Sequence, residues 1–379
     1  MTEPGRNESA SVVGFADGEL EPLRNAFARI AGSQSPGAVS SFAVYRDGTP
    51  VVDLVSGGER PWQIVFSVSK AVAAIAAQHA HSAGLLDLDA PIASVWPEFA
   101  RPSTSEITTR MVLTHRAGLP AVDARLSVAQ LVDGELERAV AVQEPYWAPG
   151  TQHGYHTLTY GALLDGTFRR GLGRTVAEYI HENLALPLGL GMRLGVAASD
   201  VDRVTPYRRD REVTTTQEVE YARSSEAIVD GSGLELWSLD CAFNRADVLQ
   251  AGWPASNLVS TARDLARLFA ATLATVDGVR LIDEAALAEL VAPRSVGVDQ
   301  VLGFPIAFGS GVQLPFPQCP FLGPTSFGQE GANGCVAFAD IATGVSAAFT
   351  TTAYPSSNGA APGATALFAS LRQCLERSA

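Results

Sequence analysis

The stretch Phe66-Ser67-Val68-Ser69-Lys70 contains the only lysine of the chain, and the other 26 of its 27 basic side chains are arginines. Arginine keeps its proton in proteins, whereas burial can lower the pKa of a lysine until the amine loses its proton. The lysine at position 70 is therefore a candidate proton carrier rather than a solubilising charge.

The spacing between Ser67 and Lys70 indicates what this lysine acts on. If a helix begins at Ser67, the two side chains lie on one face, one turn apart. A serine hydroxyl is a poor nucleophile and needs a neighbouring base. Ser69 lacks such a partner, since position 72 is a valine. The alternative is that Ser67 only caps a helix and Lys70 is an ordinary surface lysine.

The composition limits the class of protein. With 379 residues, 46% of them apolar, the chain can form one large core or two closely joined domains. A net charge of −13 argues against nucleic acid and anionic membranes as partners. There is no apolar run of about eighteen residues and no signal-peptide pattern, which predicts a cytoplasmic protein. The four scattered cysteines are expected to be free thiols, and the oligomeric state is left open.

Periodicity along the chain predicts strands near both ends and helices between them. A hairpin is expected at 38–58, helices at 70–85, 158–170, 175–186 and 260–274, strands at 335–339 and 345–352, and a closing helix at 364–375. The fold class is therefore α/β (α+β), with one antiparallel sheet built from both termini and flanked by helices.

A discontinuous sheet domain is expected at 16–90 plus 255–379, interrupted by a mainly helical domain at 91–254. The polar segment 202–244 is too long for a simple connection, which predicts a pocket-lining or lid segment. The first fifteen residues are expected to be loosely ordered.

Five stretches in order resemble the penicillin-recognising serine hydrolases, in the class C β-lactamase branch of the serine β-lactamase-like superfamily. They are residues 66–70 (FSVSK), 113–120 (LTHRAGLP), 147–155 (WAPGTQHGY), 186–190 (LPLGL) and 260–265 (STARDL). The resemblance extends over about residues 40 to 350. It implies Ser67 as nucleophile, Lys70 as its base partner and Tyr155 as the catalytic tyrosine, although Tyr155 could instead be a core residue.

The second motif resembles family VIII carboxylesterases and related acyltransferases more than true β-lactamases, and the third motif departs from the pattern of both. The β-lactamases usually carry Tyr-x-Asn, and here the third position is Thr157. At the third family motif the chain has FGQEGANG at 327–334, where Gln329 replaces the usual lysine, histidine or tryptophan. The resemblance implies an oxyanion hole formed by the backbone N–H groups of Ser67 and Ala332.

Five further residues are expected to contact the substrate: His156, Trp237, Gln329, Glu330 and Gly331. His156 could equally be structural, and Trp237 could belong to the core. Glu330 could bind a cationic group, act as an acid or base, or face solvent.

The predicted reaction is attack of Ser67 on an ester or thioester of a small molecule, giving an acyl-serine that water, an alcohol or an amine resolves. No metal or organic cofactor is expected. Segment 202–244 favours a role in secondary-metabolite tailoring. Two alternatives remain: a cofactor-free, non-hydrolytic enzyme that uses Lys70 and Tyr155 for proton transfer, and a non-catalytic small-molecule-binding homologue.

Overall fold

The computed structural model describes residues 11–59, 61–209, 242–354 and 362–378. Within them the strands are β1 Val12–Ala16, β2 Ser40–Arg46, β3 Thr49–Ser56, β4 Gln63–Ile64, β5 Arg193–Leu194, β6 Arg208–Arg209, β7 Leu258–Ser260, β8 Ser295–Val298, β9 Pro305–Phe308, β10 Gln313–Leu314, β11 Ser326–Glu330, β12 Val336–Asp340, β13 Val345–Thr351 and β14 Ala353–Tyr354.

The helices of the same residues are α1 Pro22–Gly32, α2 Val68–Ser82, α3 Thr109–Leu113, α4 Val128–Val132, α5 Glu135–Val142, α6 Thr159–Leu172, α7 Val176–Ile180, α8 Leu186–Leu188, α9 Ala246–Gln250, α10 Ala262–Leu273, α11 Glu284–Val291 and α12 Pro362–Ser378. A π-helical turn, His181–Ala185, joins α7 to α8.

Nine strands form one sheet in the order β1-β3-β2-β13-β12-β11-β10-β9-β8. Every neighbouring pair is antiparallel, and β2 from the N-terminal part lies directly beside β13 from the C-terminal part. The predicted fold class is therefore confirmed. The first hairpin turns at Asp47 and Gly48, whose φ angles of 51° and 80° suit the tight turn that an Asp-Gly pair favours.

The sheet begins earlier than the sequence pattern predicts. Strand β1 pairs with β3 from Val12 onward, through Val12↔Ser56 to Ala16↔Val52. The expectation of a loosely ordered N-terminus is therefore wrong for residues 12–15, because backbone pairing holds them on the sheet edge. The predicted boundary at residue 16 coincides with the last residue of this strand.

Alternate residues of the central strands face two different cores. Phe42 and Val44 of β2 pack in a core with α1 and α12. Ala43 and Tyr45 point the other way, into a core that includes α2 and α10. Helix α2 is thereby buried between the sheet and the helices of residues 91–254. That these helices form a separate domain stays a prediction.

A third, smaller core lies behind the start of α2. It contains Ile64, Phe66, Tyr207, Phe243 and Tyr354. Strands β4, β7 and β5 form a small antiparallel sheet next to it. This arrangement fixes the chain on both sides of the predicted nucleophile. Among the described residues, no helix is both long and apolar enough to cross a membrane.

Candidate active site

Ser67 lies at the N-terminal end of α2, partly exposed, with helical φ and ψ of −65° and −9°. Its side chain forms no capping hydrogen bond to the helix. A capping serine uses its oxygen to accept an N–H from the first turn. The structure therefore does not support the alternative role of Ser67 as a helix cap. The serine hydroxyl is available for chemistry.

The residue before Ser67 has a strained backbone. Phe66 has a φ of 47°, which is unfavourable for a bulky side chain. Its ring lies 4.8 Å from the ring of Phe243, 5.3 Å from that of Tyr207 and 5.8 Å from that of Tyr354. Because this aromatic packing holds Phe66, the sharp turn presents Ser67 at the helix end.

Lys70 is buried, with 1% of its surface exposed. Its Nζ lies 2.9 Å from the carbonyl oxygen of Thr157, 2.9 Å from that of Ala255 and 3.3 Å from Ser67 Oγ. Among the residues described, no carboxylate forms an ion pair with it. Burial therefore lowers the pKa of Lys70 well below its ordinary 10.5.

These three contacts decide where a neutral Lys70 amine would point. A carbonyl oxygen can only accept hydrogen bonds, so Thr157 and Ala255 occupy two N–H groups of the amine. In the neutral form the remaining direction, toward Ser67 Oγ, holds the lone pair. The geometry thus suits removal of the serine proton by Lys70.

Tyr155 lies beside this amine. The centre of its ring is 4.7 Å from Lys70 Nζ, and the ring stacks on Phe308 at 6.3 Å with 19° between the planes. The backbone N–H of Tyr155 donates to Asp299 Oδ1 at 2.9 Å. The ring is both packed against Phe308 and next to the amine, so its packing is compatible with the predicted catalytic role, which stays a prediction.

His156 has a different role from the predicted one. It is fully buried; its Nδ1 lies 2.7 Å from the Gly154 carbonyl, and its Nε2 accepts the Leu119 N–H at 3.1 Å. Burial lowers the pKa of His156 to about 4, so the ring is neutral. Since both ring nitrogens are engaged by backbone, the predicted substrate contact of His156 is wrong. It holds the loop that carries Tyr155, together with His115, whose Nδ1 accepts the His156 N–H at 3.1 Å.

The turn after β11 packs against the residues that precede Ser67. A Cβ atom on Gly331 would lie 2.5 Å from the Val65 carbonyl oxygen, so only glycine fits there. Asn333 Nδ2 donates to the Ile64 carbonyl at 3.0 Å. This close approach brings the turn containing Ala332 to the start of α2, as the predicted oxyanion hole requires.

The two unusual residues of the third motif lie on opposite faces of β11. Phe327 packs in the core of α2, and Gln329, two residues later, lies on that same face, almost fully buried. Glu330 lies on the other face, where its carboxylate contacts Cys319. Burial, together with the charge and hydrogen bond of Glu330, raises the pKa of this thiol.

A family model for β-lactamases matches residues 23–370. The chain belongs to the β-lactamase family. It is 29% identical to the esterase/β-lactamase LipL of Mycobacterium tuberculosis, over 90% of this chain and 83% of LipL. The structure of EstA from Arthrobacter nitroguajacolicus Rue61a matches with a TM-score of 0.85, 27% identity, and 97% and 100% coverage of this chain and of EstA.

A family VIII carboxylesterase has the same fold, with a TM-score of 0.83 at 24% identity, over 96% of this chain and all of that one. The predicted membership of the serine β-lactamase-like superfamily is confirmed by the family model, and the likeness to the carboxylesterase shows a shared fold. The prediction that this family member is an enzyme is also confirmed.

Some predictions fall on other parts of the chain. Trp237 lies outside the described residues, as do residues 210–241 of the predicted lid segment 202–244. In the described part of the chain Cys319, Cys335 and Cys374 form no disulfide; Cys241 lies outside it.

The sequence did not point to three groups that shape the site. Two are backbone carbonyls, of Thr157 and Ala255, which no side-chain motif can reveal. The third is Asp299, which is separated from Tyr155 by 144 residues. An aspartate before a turn is too common for its position to indicate contact with a catalytic loop.

Proposed function

We propose that the protein is a serine esterase that cleaves an ester or thioester of a small molecule through an acyl-serine intermediate. The observation that carries the proposal is the environment of Lys70. This buried amine, without an ion-pair partner in the described residues, has two of its hydrogens engaged by carbonyls and faces Ser67 Oγ at 3.3 Å.

In the first half of the reaction Ser67 Oγ transfers its proton to the lone pair of Lys70 as it attacks the carbonyl carbon. The resulting oxyanion is stabilised by the N–H groups of Ser67 and Ala332. The intermediate collapses, the bond to the alcohol or thiol breaks, and the leaving group takes the proton back from Lys70 directly or through the Tyr155 hydroxyl.

In the second half water attacks the acyl-serine. Its proton goes to Lys70, directly or relayed through the Tyr155 hydroxyl. The Ser67–acyl bond then breaks, and Ser67 Oγ takes the proton back from Lys70 as the carboxylic acid leaves. An alcohol or amine in place of water would give acyl transfer with the same proton path. Every group that the cycle needs belongs to the chain or to the substrate.

Two observations favour esters over penicillins. Thr157 stands where β-lactamases carry an asparagine amide for the acylamino side chain, and Gln329 cannot supply a positive charge to a substrate carboxylate. Two relatives support ester cleavage: LipL is named an esterase/β-lactamase, and a lovastatin esterase from Penicillium rubens is 29% identical over 39% of this chain. Acyl transfer, a tailoring role and a cytoplasmic location remain predictions.

The test is intact-protein mass spectrometry after incubation with p-nitrophenyl butyrate and, separately, a fluorophosphonate. Wild type is expected to release p-nitrophenol and to gain one phosphonyl adduct, which Ser67→Ala cannot form. Ser82→Ala is the matched control, since Ser82 lies at the far end of the same helix and should label like wild type. An adduct that persists in Ser67→Ala, or absence of both turnover and labelling in folded wild type, would contradict the proposal.

Adding methanol or a primary amine to the same assay tests acyl transfer. If acceptors compete with water, p-nitrophenol release exceeds acid production and the missing acid appears as ester or amide. Equal amounts of the two products at every acceptor concentration would restrict the enzyme to hydrolysis.

A further inference from the structure

Asp299 joins the loop that follows β8 to the backbone of Tyr155. The residue is fully buried, and its Oδ1 accepts three hydrogen bonds of 2.9 Å, from the N–H groups of Val301, Leu302 and Tyr155. The first two bonds close the loop itself. The third is different, because it fixes a peptide group next to the reacting centre.

The remaining contacts of this loop also fall on the residues just before Tyr155. The Gln300 N–H donates to the His153 carbonyl at 3.0 Å. A Cβ atom on Gly154 would lie 3.0 Å from a Val301 methyl and 3.3 Å from Gln300 Cβ, so the glycine allows the loop to approach. Residues 299–301 thus cover residues 153–155 along their length.

The Asp299 carboxylate does more than close its own loop. Its second oxygen, Oδ2, is buried and has no hydrogen-bond partner in the described structure, and the same holds for Nε2 of His153. Burying a polar atom without a partner costs free energy. Of the three N–H groups that Oδ1 accepts, that of Tyr155 lies outside the loop, so the carboxylate also fixes the position of residue 155.

We infer that Asp299 is a positioning residue for Tyr155, whose ring it holds against Lys70 by fixing the peptide N–H at position 155. The inference rests on the proposed function, in which the Tyr155 hydroxyl takes part in proton transfer. Asp299 does not touch the substrate, since it is fully buried. Asp299 affects kcat by holding Tyr155 in position.

The expected effect follows from how sharply proton transfer depends on distance. Displacing a reacting group by about 1 Å can cost about 100-fold in rate. Asp299→Ala removes the acceptor, so kcat for p-nitrophenyl butyrate should fall by about 30- to 100-fold while KM stays within about threefold. Asp299→Asn keeps an oxygen that can accept the three N–H groups, and should retain kcat within about fivefold of wild type.

A double-mutant cycle separates positioning from general destabilisation. If Asp299 acts through the Tyr155 hydroxyl, Asp299→Ala should have little further effect on kcat in a Tyr155→Phe background. Asp264→Ala is the control, since Asp264 is partly buried and also accepts a loop N–H, from Gly191 at 3.2 Å. It should lower thermal stability without changing kcat.

Wild-type kcat in folded Asp299→Ala, an equal loss in Asp299→Asn, or full additivity with Tyr155→Phe would overturn the inference. If the alanine variant does not fold, Asp299→Leu fills the space without an acceptor and is judged by the same criteria. Failure of the proposed function is distinguishable, because folded wild type would then show neither turnover nor labelling at Ser67.

Discussion

Two buried cations of this molecule, Lys70 and Arg110, have opposite surroundings. Arg110 forms two hydrogen bonds to the carboxylate of Asp89, at 2.6 and 2.7 Å, and pairs with Glu289. Lys70 has only neutral oxygens around it: two carbonyls and one hydroxyl. Both side chains are buried, yet only one of the two charges is compensated in the described structure.

The difference shows in the pKa values. Burial by itself would lower the pKa of Arg110, but the hydrogen bonds and charges of Asp89 and Glu289 raise it overall. Burial lowers the pKa of Lys70 without such opposition. A compensated cation holds elements together, here α3 and α11. A buried lysine without a compensating carboxylate has a lowered pKa and can exchange a proton. This property suits a lysine at position 70 of a chain otherwise rich in arginine.

The largest expected effect follows from exchanging one cation type for the other. Lys70→Arg introduces a permanent charge that cannot release its proton, so activity should fall by about 10³- to 10⁴-fold. The larger side chain should also lower the free energy of unfolding by about 1–3 kcal/mol, through overpacking. Ester hydrolysis and urea unfolding measure the two effects. An active arginine variant would show that proton transfer through position 70 is not required.

Replacing Arg110, the compensated cation, should have the opposite effect: a loss of stability with little change in activity. Arg110→Met leaves two carboxylates behind, but Asp89 has 63% of its side chain exposed and can be hydrated. The expected loss is therefore about 1–3 kcal/mol of unfolding free energy rather than the larger cost of a fully buried pair, with kcat of the folded protein nearly unchanged. Lys70→Met is the matched control, and should lose activity with less loss of stability. If both variants lost stability equally, the distinction between the two cations would fail.

The buried, neutral His156 extends the comparison to pH. Its pKa is about 4 in the folded protein and near its ordinary 6.5 when unfolded. The unfolded chain therefore binds the extra proton first, and the stability that His156 contributes above pH 6.5 is lost as the pH falls toward 4. The dependence should reach about 1.4 kcal/mol per pH unit in that window.

Urea unfolding of wild type and His156→Gln between pH 7 and pH 4.5 isolates this residue, because other titrating groups cancel in the difference. Glutamine can still accept the Leu119 N–H. Identical pH dependence in both proteins would mean that His156 is not held neutral by the fold.

Much of the fold could be predicted because its signals are local. The Asp47-Gly48 turn and the apolar residues around it specify the first hairpin, and an alanine-rich run specifies α2. Strand β1 was missed because it is short and depends on pairing with β3, which lies more than thirty residues later in the sequence. The motif spacing brought Ser67, Lys70 and Tyr155 together correctly.

The errors in the site have a physical cause as well. His156 follows Tyr155 in sequence, but its ring turns into the loop interior, where two backbone groups bind it. Whether a side chain faces the pocket or its own loop is decided by such hydrogen bonds. Sequence spacing does not reveal these hydrogen bonds. For the same reason the contact between Asp299 and Tyr155 could not be predicted.

The proposed mechanism requires a neutral Lys70, and its protonation state can be measured directly because Lys70 is the only lysine of the chain. In protein labelled with ¹³Cε-lysine, the one lysine side-chain resonance can be followed by NMR as the pH is varied. We expect this resonance to titrate well below pH 10.5 in folded wild type and, in an unfolded sample, near the ordinary lysine value. Titration of folded wild type near pH 10.5 would mean that Lys70 is charged at rest, and would contradict its role as the base for Ser67.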